Sequence, residues 1–486
     1  MKSLIRAIFL TAILVLSVSP LAFAKPAAWE HITEGDFILY FPSFRELTST
    51  AQSLMRRFYG RNYLQMLEEM KLQSQSLYGV DIFSEQSLRD IGVNISGSVA
   101  YVNISNDVGY LLIPIESQSK FRNYVRTKLG DTLPYYFAGN FAILSASETA
   151  VKNISKKAVD NESFAIAMSR LNYQWGKPVI WIKSSYFSRV AGGSSVSSQM
   201  NLPQGFTAAV IDFKENEIGL DTYSGVVSDR QKQFVRTMRQ VSGQGRFDML
   251  DYIWGNPSAM GNIYLNFARV YDYYRQIDRM NILGIQSVIS DMRRRYQVNI
   301  ERDLINNCDG RFKFVVQEFN QETHSYDIFG SIGVRNRDVA RTLMESLKAA
   351  TLKSGSQLFT FEIFTNPFYH YKTTNYSVFF GLVEEDFIFA TDKDTLTQLV
   401  KNIYENQNGF LAQTPGFFKN ASTNRDIGYY FIIDVQSLFS NIKTSGLQIS
   451  SEFLVGIKDI HIYGEPEGGT DAYGWKTSAK INFHKK

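Results

Sequence analysis

YLLIPIESQSKFRNYVR at residues 110–126 and FGSIGVRNRDVARTLME at residues 329–345 align without a gap. Each reads as a strand running straight into an amphipathic helix, because its apolar side chains recur first at every second position and then at every third or fourth. Three more pairs of blocks keep the same order. NFAILSASET (140–149) lies on DFIFATDKDT (386–395), VIWIKSSYFS (179–188) on FIIDVQSLFS (431–440), and YGVDI (78–82) on YQVNI (296–300). Self-similarity in several ordered blocks predicts an internal duplication.

The expected fold is therefore α+β, two tandem copies of one unit, each an antiparallel sheet packed with helices on one side. The first copy spans residues 29–227 and the second 261–486, with a linker carrying short helices at 228–260. Opening strands are expected at 37–41 and 263–267, and strand pairs at 98–104 with 110–115 and at 312–319 with 326–334. Alternation marks residues 207–213 and 475–483 as half-buried strands. Ser147 with Ala150 and Asp392 with Thr395 fall at helix starts, where such side chains accept from free backbone N–H groups. Ala191 to Ser198 reads as a Gly/Ser loop.

An opening strand comes first, then Tyr-x-Val-Asp/Asn-Ile and the short acidic helix from Glu301 to Leu304. Gly310 with a strand follows, and then a late strand running into Ala390-Thr-Asp-Lys-Asp-Thr-Leu396. This order resembles exported bacterial proteins grouped as domain of unknown function 3352. The second copy matches better, since the first carries extra residues between Ile82 and Gly97. The resemblance implies the fold and an exported location; it implies no reaction and no site residue.

Lys2 and Arg6, an apolar run from Ala7 to Val18, and Ala22-Phe-Ala24 form the pattern of a signal peptide over residues 1–24, cleaved after Ala24. The run is too short to favour a membrane span, and no later stretch reaches the roughly 18 apolar residues that a spanning helix needs. No cysteine follows the cleavage site, so a lipoprotein anchor is not expected. A periplasmic or secreted protein is the expectation. The 51 Lys and Arg, less Lys2 and Arg6, nearly balance 47 Asp and Glu, which offers no electrostatic basis for nucleic acid. Cys308 is the single cysteine. It excludes an intramolecular disulfide and reads as a small buried apolar side chain.

Five scattered histidines lack the i+3 to i+5 spacing of a helical metal site, and neither a P-loop nor a nucleophile elbow occurs. No metal and no cofactor are expected. Ser117-Gln-Ser-Lys120, taken with Lys476-Thr-Ser478, resembles in fragments the serine acyl-transfer enzymes of the periplasm, in which a lysine one turn after the serine acts as base. Ser117 is also an ordinary helix N-cap, and the second copy carries Asn336 and Val339 there. Arg56 and Arg57, near Arg61, and Arg293, Arg294 and Arg295 are solvated helix faces or a patch for anionic headgroups. The 27 Tyr and 36 Phe are enough to fill cores and still line a contact surface. The run from Phe364 to Tyr371 reads as an apolar loop, so Phe364, Phe368, Tyr369 and Tyr371 are candidates for a ligand or partner surface. The closing strand, Trp475 to Phe483, alternates like the last strand of an outer-membrane barrel, but the helices of both copies and the His484-Lys-Lys486 end argue against one.

Together these readings predict a non-enzymatic binding or scaffold protein of the cell envelope. An apolar or lipidic ligand, or an envelope protein, would sit in a groove between helices and sheet or between the copies. A periplasmic serine hydrolase using Ser117 and Lys120 is the alternative. The sequence sets no oligomeric state.

Overall fold

The computed structural model describes residues 27–33, 35–105, 108–130, 133–147, 162–173, 176–186, 205–226, 229, 232, 252–255, 257–264, 266–276, 285–320, 325–354, 357–372, 377–405, 428–439, 456–468 and 473–484. The expected signal sequence with its Ala24 site, the expected 191–198 loop and most of the expected 228–260 linker lie outside these residues. The chain divides into two compact units. One is Met1–Ser228 with Gln448–Ile457 and Lys476–Lys486, and the other is Asp229–Leu447 with Lys458–Trp475.

In the first unit the strands are β1 (Phe37–Phe41), β2 (Val99–Ser105), β3 (Val108–Pro114), β4 (Tyr135–Ala138), β5 (Phe141–Ser145), β6 (Val179–Lys183), β7 (Gly205–Lys214) and β8 (Glu217–Val226). They pair antiparallel in the order β4-β5-β3-β2-β1-β6-β7-β8. The C-terminal stretch from Lys476 belongs to this unit, where the sequence reading assigned it to the second copy. There Thr222 Oγ1 donates to Thr477 O at 3.3 Å, and Ser478 Oγ donates to Asp221 Oδ1 at 2.6 Å.

Every residue of β1 is buried. Alternation sends Ile38 and Tyr40 to one face of the sheet and Phe37, Leu39 and Phe41 to the other. The first face packs on Trp29 of the 3₁₀ turn Ala27–His31 and on Phe164 and Met168 of a helix over Glu162–Arg170. The second packs on helices α1 (Phe44–Tyr59), α2 (Tyr63–Tyr78), α3 (Glu85–Asp90) and α4 (Gln118–Tyr124), which makes Glu162–Arg170 helix α5. Helical layers thus cover both faces, not one, because the central strands are apolar at odd and even positions alike.

Ser43 caps α1 by accepting from Glu46 N at 3.0 Å. Leu47, Ala51, Leu54 and Met55 recur at helical spacing and enter the core, each large one worth roughly 1.5–3 kcal/mol of burial. Gly92 follows α3 at φ +86° and passes the start of α4, where a Cβ would stand 2.4 Å from Ser117 O. Only glycine fits this crossing.

Glu46 lies in the first turn of α1, where the helix dipole favours its charge, yet burial pushes its carboxyl up to about 7. Its folded value lies above its unfolded one, so the stability it contributes is complete below about pH 4.5 and is lost as pH rises through about 7. We expect Glu46→Gln to match the wild type at pH 4 and to exceed it in denaturant midpoint at pH 8. An equal gap at both pH values would refute this.

The second unit contains β9 (Ala259–Tyr264), β10 (Cys308–Asn320), β11 (Ser325–Val334), β12 (Gln357–Ile363), β13 (Asn366–Lys372), β14 (Ser377–Val383), β15 (Asp386–Ala390), β16 (Tyr429–Asp434) and β17 (Ile457–Gly468). The order is β12-β13-β14-β15-β11-β10-β9-β16-β17, again antiparallel. β9 begins four residues before the expected opening strand and so takes the end of the expected linker. It stops before Phe267 because Asn266 Oδ1 accepts from Arg269 N at 3.2 Å and starts helix α6 (Phe267–Gln276). Helices α7 (Ile285–Tyr296), α8 (Arg337–Ser354) and α9 (Lys393–Tyr404) follow. Asp392 caps α9 through Thr395 N at 2.8 Å, and α9 sends Leu396, Leu399 and Val400 into the core beside Val315, Phe329 and Ile388.

One end of that core face is charged. Arg311 Nε donates to Asp309 Oδ2 at 2.7 Å and Nη1 to Asp386 Oδ2 at 3.4 Å, with the arginine side chain 7% and both carboxylates 3% exposed. Asp386 pairs in register with Gly333 of β11, which separates β10 from β15. A Cβ on Gly333 would stand 2.2 Å from Asp309 Oδ1, so glycine leaves the space the carboxylate fills.

Candidate functional site

The sheet face that packs on α1 to α4 in the first unit is not filled. Leu39 of β1, Val99 and Tyr101 of β2, Leu111 and Ile113 of β3 and Leu144 of β5 form the floor of a cavity. Phe44 and Leu47 of α1, Tyr78 at the end of α2, the Val80–Phe83 turn, Leu88 of α3, and Phe121 and Tyr124 of α4 form its roof. The volume is about 170 Å³. One ordered water needs roughly 10–15 Å³ by the same kind of measure, and an apolar void of this order stays dry and admits apolar guests.

Among the described residues no Asp, Glu, Lys, Arg or His lines the cavity, and the hydroxyl-bearing residues of its wall are Thr48, Tyr78, Tyr101, Tyr110, Tyr124 and Ser145. Most of these are engaged by the protein. Thr48 Oγ1 donates to Arg45 O at 3.0 Å, Tyr110 Oη to His31 O at 2.6 Å, Tyr124 Oη to Tyr78 O at 2.9 Å and Ser145 Oγ to Gly109 O at 2.7 Å. Tyr101 is met by the Asn103 side chain. Tyr78 Oη is buried and has no hydrogen-bond partner among the described residues. Burial raises the Tyr78 phenol above its ordinary value, so the group is a neutral donor.

The residues singled out in the sequence lie elsewhere. Ser117 is the N-cap of α4: its Oγ accepts from Lys120 N at 3.4 Å and lies 3.2 Å from Ser119 Oγ. Those contacts satisfy a helix end, as the cap reading expects. Arg56 sits over the Tyr63 ring at 5.1 Å, and Arg57 over the Phe483 ring at 5.0 Å while donating to Lys214 O at 3.2 Å. Burial lowers the Arg57 pKa. Arg56 remains exposed and Arg57 is half-buried, each in contact with its own unit. Arg293 is exposed, Arg294 pairs with Asp291 at 2.8 Å, and the side chain of Arg295 lies outside the described residues.

The segment from Phe364 to Tyr371 is not a loop. Phe364 and Thr365, at φ +47° and +65°, form the two-residue turn of the β12–β13 hairpin, and the rest is strand. Phe368 and Tyr369 are core residues at 0% and 2% exposure, which removes them from any contact surface; alternation along β13 and its two strand neighbours bury them. Phe364 remains half exposed beside Tyr404, with ring centroids 5.4 Å apart, and Tyr371 is partly buried. Cys308 is buried, and burial, together with Asp309, pushes its thiol up to about 11.

Sequence reading expected a groove between helices and sheet but named none of the residues that line the cavity, and it missed the charged group. Asp309, Arg311 and Lys313 alternate with Phe312 and Phe314, a pattern that ordinarily turns the charges to solvent. Here the charged row is buried and the two phenylalanines are only partly so.

Among the described residues no helix is long and apolar enough to cross a membrane. No protein-family model matches the chain, and no curated protein does. Two solved structures of a protein named TP0453 are similar in part. Crystal form IV has 11% identity and a TM-score of 0.25 over 42% of this chain and 81% of that one. Crystal form I has 11% identity and a TM-score of 0.23 over 48% and 84%.

Proposed function

We propose that the protein is an exported, non-enzymatic binding protein of the cell envelope that holds an apolar ligand in the cavity of its first unit. The observation that carries this reading is the cavity wall, which is apolar and, among the described residues, contains no charged side chain. An apolar space left unfilled forfeits the contacts its wall would make with a filling group. An apolar guest recovers that loss and adds roughly 0.8 kcal/mol for each methylene it buries. The export signal at residues 1–24 and the resemblance to exported bacterial proteins support the envelope location.

The strand orders of the two units support reading them as copies of one unit. β4-β5-β3-β2-β1-β6-β7 corresponds in turn to β14-β15-β11-β10-β9-β16-β17, with the β12–β13 hairpin added in the second. The copies have diverged in use, since the charged group belongs to the second and the cavity to the first.

Native mass spectrometry of the protein purified from the compartment to which it is exported tests the reading. The expected result is a reproducible mass excess that disappears on denaturation. A bare chain mass in every preparation would overturn it.

A further inference from the structure

Independently of what fills the cavity, we propose that the outer face of α4 docks the protein on an anionic phospholipid membrane. α4 runs on into a π-helical turn over Val125–Leu129, and together they read Gln118-Ser-Lys-Phe-Arg-Asn-Tyr-Val-Arg-Thr-Lys-Leu129. Phe121, Tyr124 and Val125 are buried, and Phe121, Tyr124 and Leu129 line the cavity. Lys120, Arg122, Arg126 and Lys128 are exposed. No acid lies between Glu116 and Asp131, so the segment is wholly basic in a chain whose 51 Lys and Arg nearly balance 47 Asp and Glu. Among the described residues none of these cations is in an ion pair. Arg122 lies over the Phe137 ring at 5.6 Å, and Arg126 donates to Asn123 Oδ1 at 3.4 Å. A basic amphipathic helix is the pattern that anionic lipid surfaces attract.

The surroundings leave this charge unopposed. α2 carries no acid after Glu69, and residues 133–147, which include β4 and β5, carry none. Glu116 meets Arg89 at 3.8 Å, Glu85 of α3 pairs with Arg45 at 2.7 Å, and Asp90 accepts from Gln86. The aligned helix of the second unit differs: in α8 Asp338 stands 3.4 Å from Arg341, and Glu345 takes the position of Arg126. The excess charge therefore belongs to the unit with the cavity. Apolar side chains stand close by. Tyr124 Oη donates to Tyr78 O at 2.9 Å, and the Lys128 stem passes Gly79, where a Cβ would stand 3.0 Å from its Cδ. That end of α2 exposes Leu72 and Leu77. A membrane surface accommodates both, the cations among its phosphates and the leucines between its headgroups.

Flotation of the exported protein with vesicles of phosphatidylglycerol and phosphatidylcholine, and with vesicles of phosphatidylcholine alone, is the experiment. The expected result is binding to the anionic vesicles only, weakening as added salt shortens the Debye length. Each cation at such a surface contributes roughly a fivefold factor, so Lys120→Glu with Arg126→Glu and Lys128→Glu should weaken binding at least about 100-fold. A thermal midpoint near that of the wild type shows that this variant is folded. Should it unfold, Lys120→Gln with Arg126→Gln carries the test, at about 25-fold. Arg293→Glu with Arg294→Glu, a like change in the second unit, should leave binding at the wild-type level. No binding to anionic vesicles, equal binding to both kinds, or folded α4 variants that float like the wild type would each overturn the membrane assignment. So would retention of an acidic protein through these cations while vesicles stay unbound. Titration with the apolar dye N-phenyl-1-naphthylamine keeps the two readings apart. Failure of the dye to bind the wild type would remove the cavity reading and leave the membrane assignment standing.

Discussion

Leu111→Trp abolishes uptake of an apolar ligand while leaving the first unit folded. Leu111 lies mid-strand in β3 and lines the cavity floor, and it is only partly buried because the space above it is void. An indole at this position extends into that void instead of into packed atoms. Overpacking a filled core would cost roughly 1–3 kcal/mol, whereas filling a cavity recovers part of the packing that the void forfeits. The thermal midpoint of Leu111→Trp should therefore stay level or rise. Binding should fall by at least about 100-fold, since a guest that loses four methylenes of contact at roughly 0.8 kcal/mol each gives up about 3 kcal/mol. Dye titration and thermal unfolding of the same sample check both halves. Undiminished dye binding by a folded Leu111→Trp protein would mean that the ligand sits somewhere other than this cavity.

Arg311→Met is the variant with the largest expected effect on stability. The guanidinium pairs with two carboxylates that are 3% exposed, and both were taken out of water when the sheet formed. Without it, Asp309 and Asp386 lose the guanidinium that opposes their buried charges, at a cost of about 3–5 kcal/mol. That is a large share of the roughly 5–15 kcal/mol by which a domain is stable. The network acts as a whole, so the losses do not add. The triple variant Asp309→Asn, Arg311→Met, Asp386→Asn should recover most of what Arg311→Met loses, because it removes the charges together with their need for a partner. Urea unfolding of the full chain, followed by a probe in the second unit, measures this. A loss below about 1 kcal/mol for Arg311→Met, of the size seen for exposed pairs, would contradict a buried network. Gly333→Ala should be costly for a related reason, since its Cβ would occupy the space of the Asp309 carboxylate.

The β12–β13 hairpin shows where local signals run out. Two-residue hairpin turns with both φ values positive favour Asn-Gly, and Phe364-Thr365 offers a bulky and a β-branched residue instead. No rule of turn chemistry finds that turn. Tertiary pairing of β13 with β14 holds it, and the same pairing buries Phe368 and Tyr369.

Elements whose cause is local were legible. The strand-to-helix blocks at 110–126 and 329–345 became β3 with α4 and β11 with α8, because period-two and period-3.6 patterns and cap residues act within a few positions. The α+β class follows from them, as does the role of Ser117 as a cap. The cavity and the Asp309–Arg311–Asp386 group have no such local cause. Leu39, Val99, Leu111 and Leu144 share a wall although more than 100 residues separate the first from the last. Each reads alone as an ordinary core leucine or valine. A void is what many side chains jointly fail to fill, and the Asp309–Arg311 pair, local to β10, is completed only by Asp386 from β15. Both are properties of packing between distant segments, which no window along the chain contains.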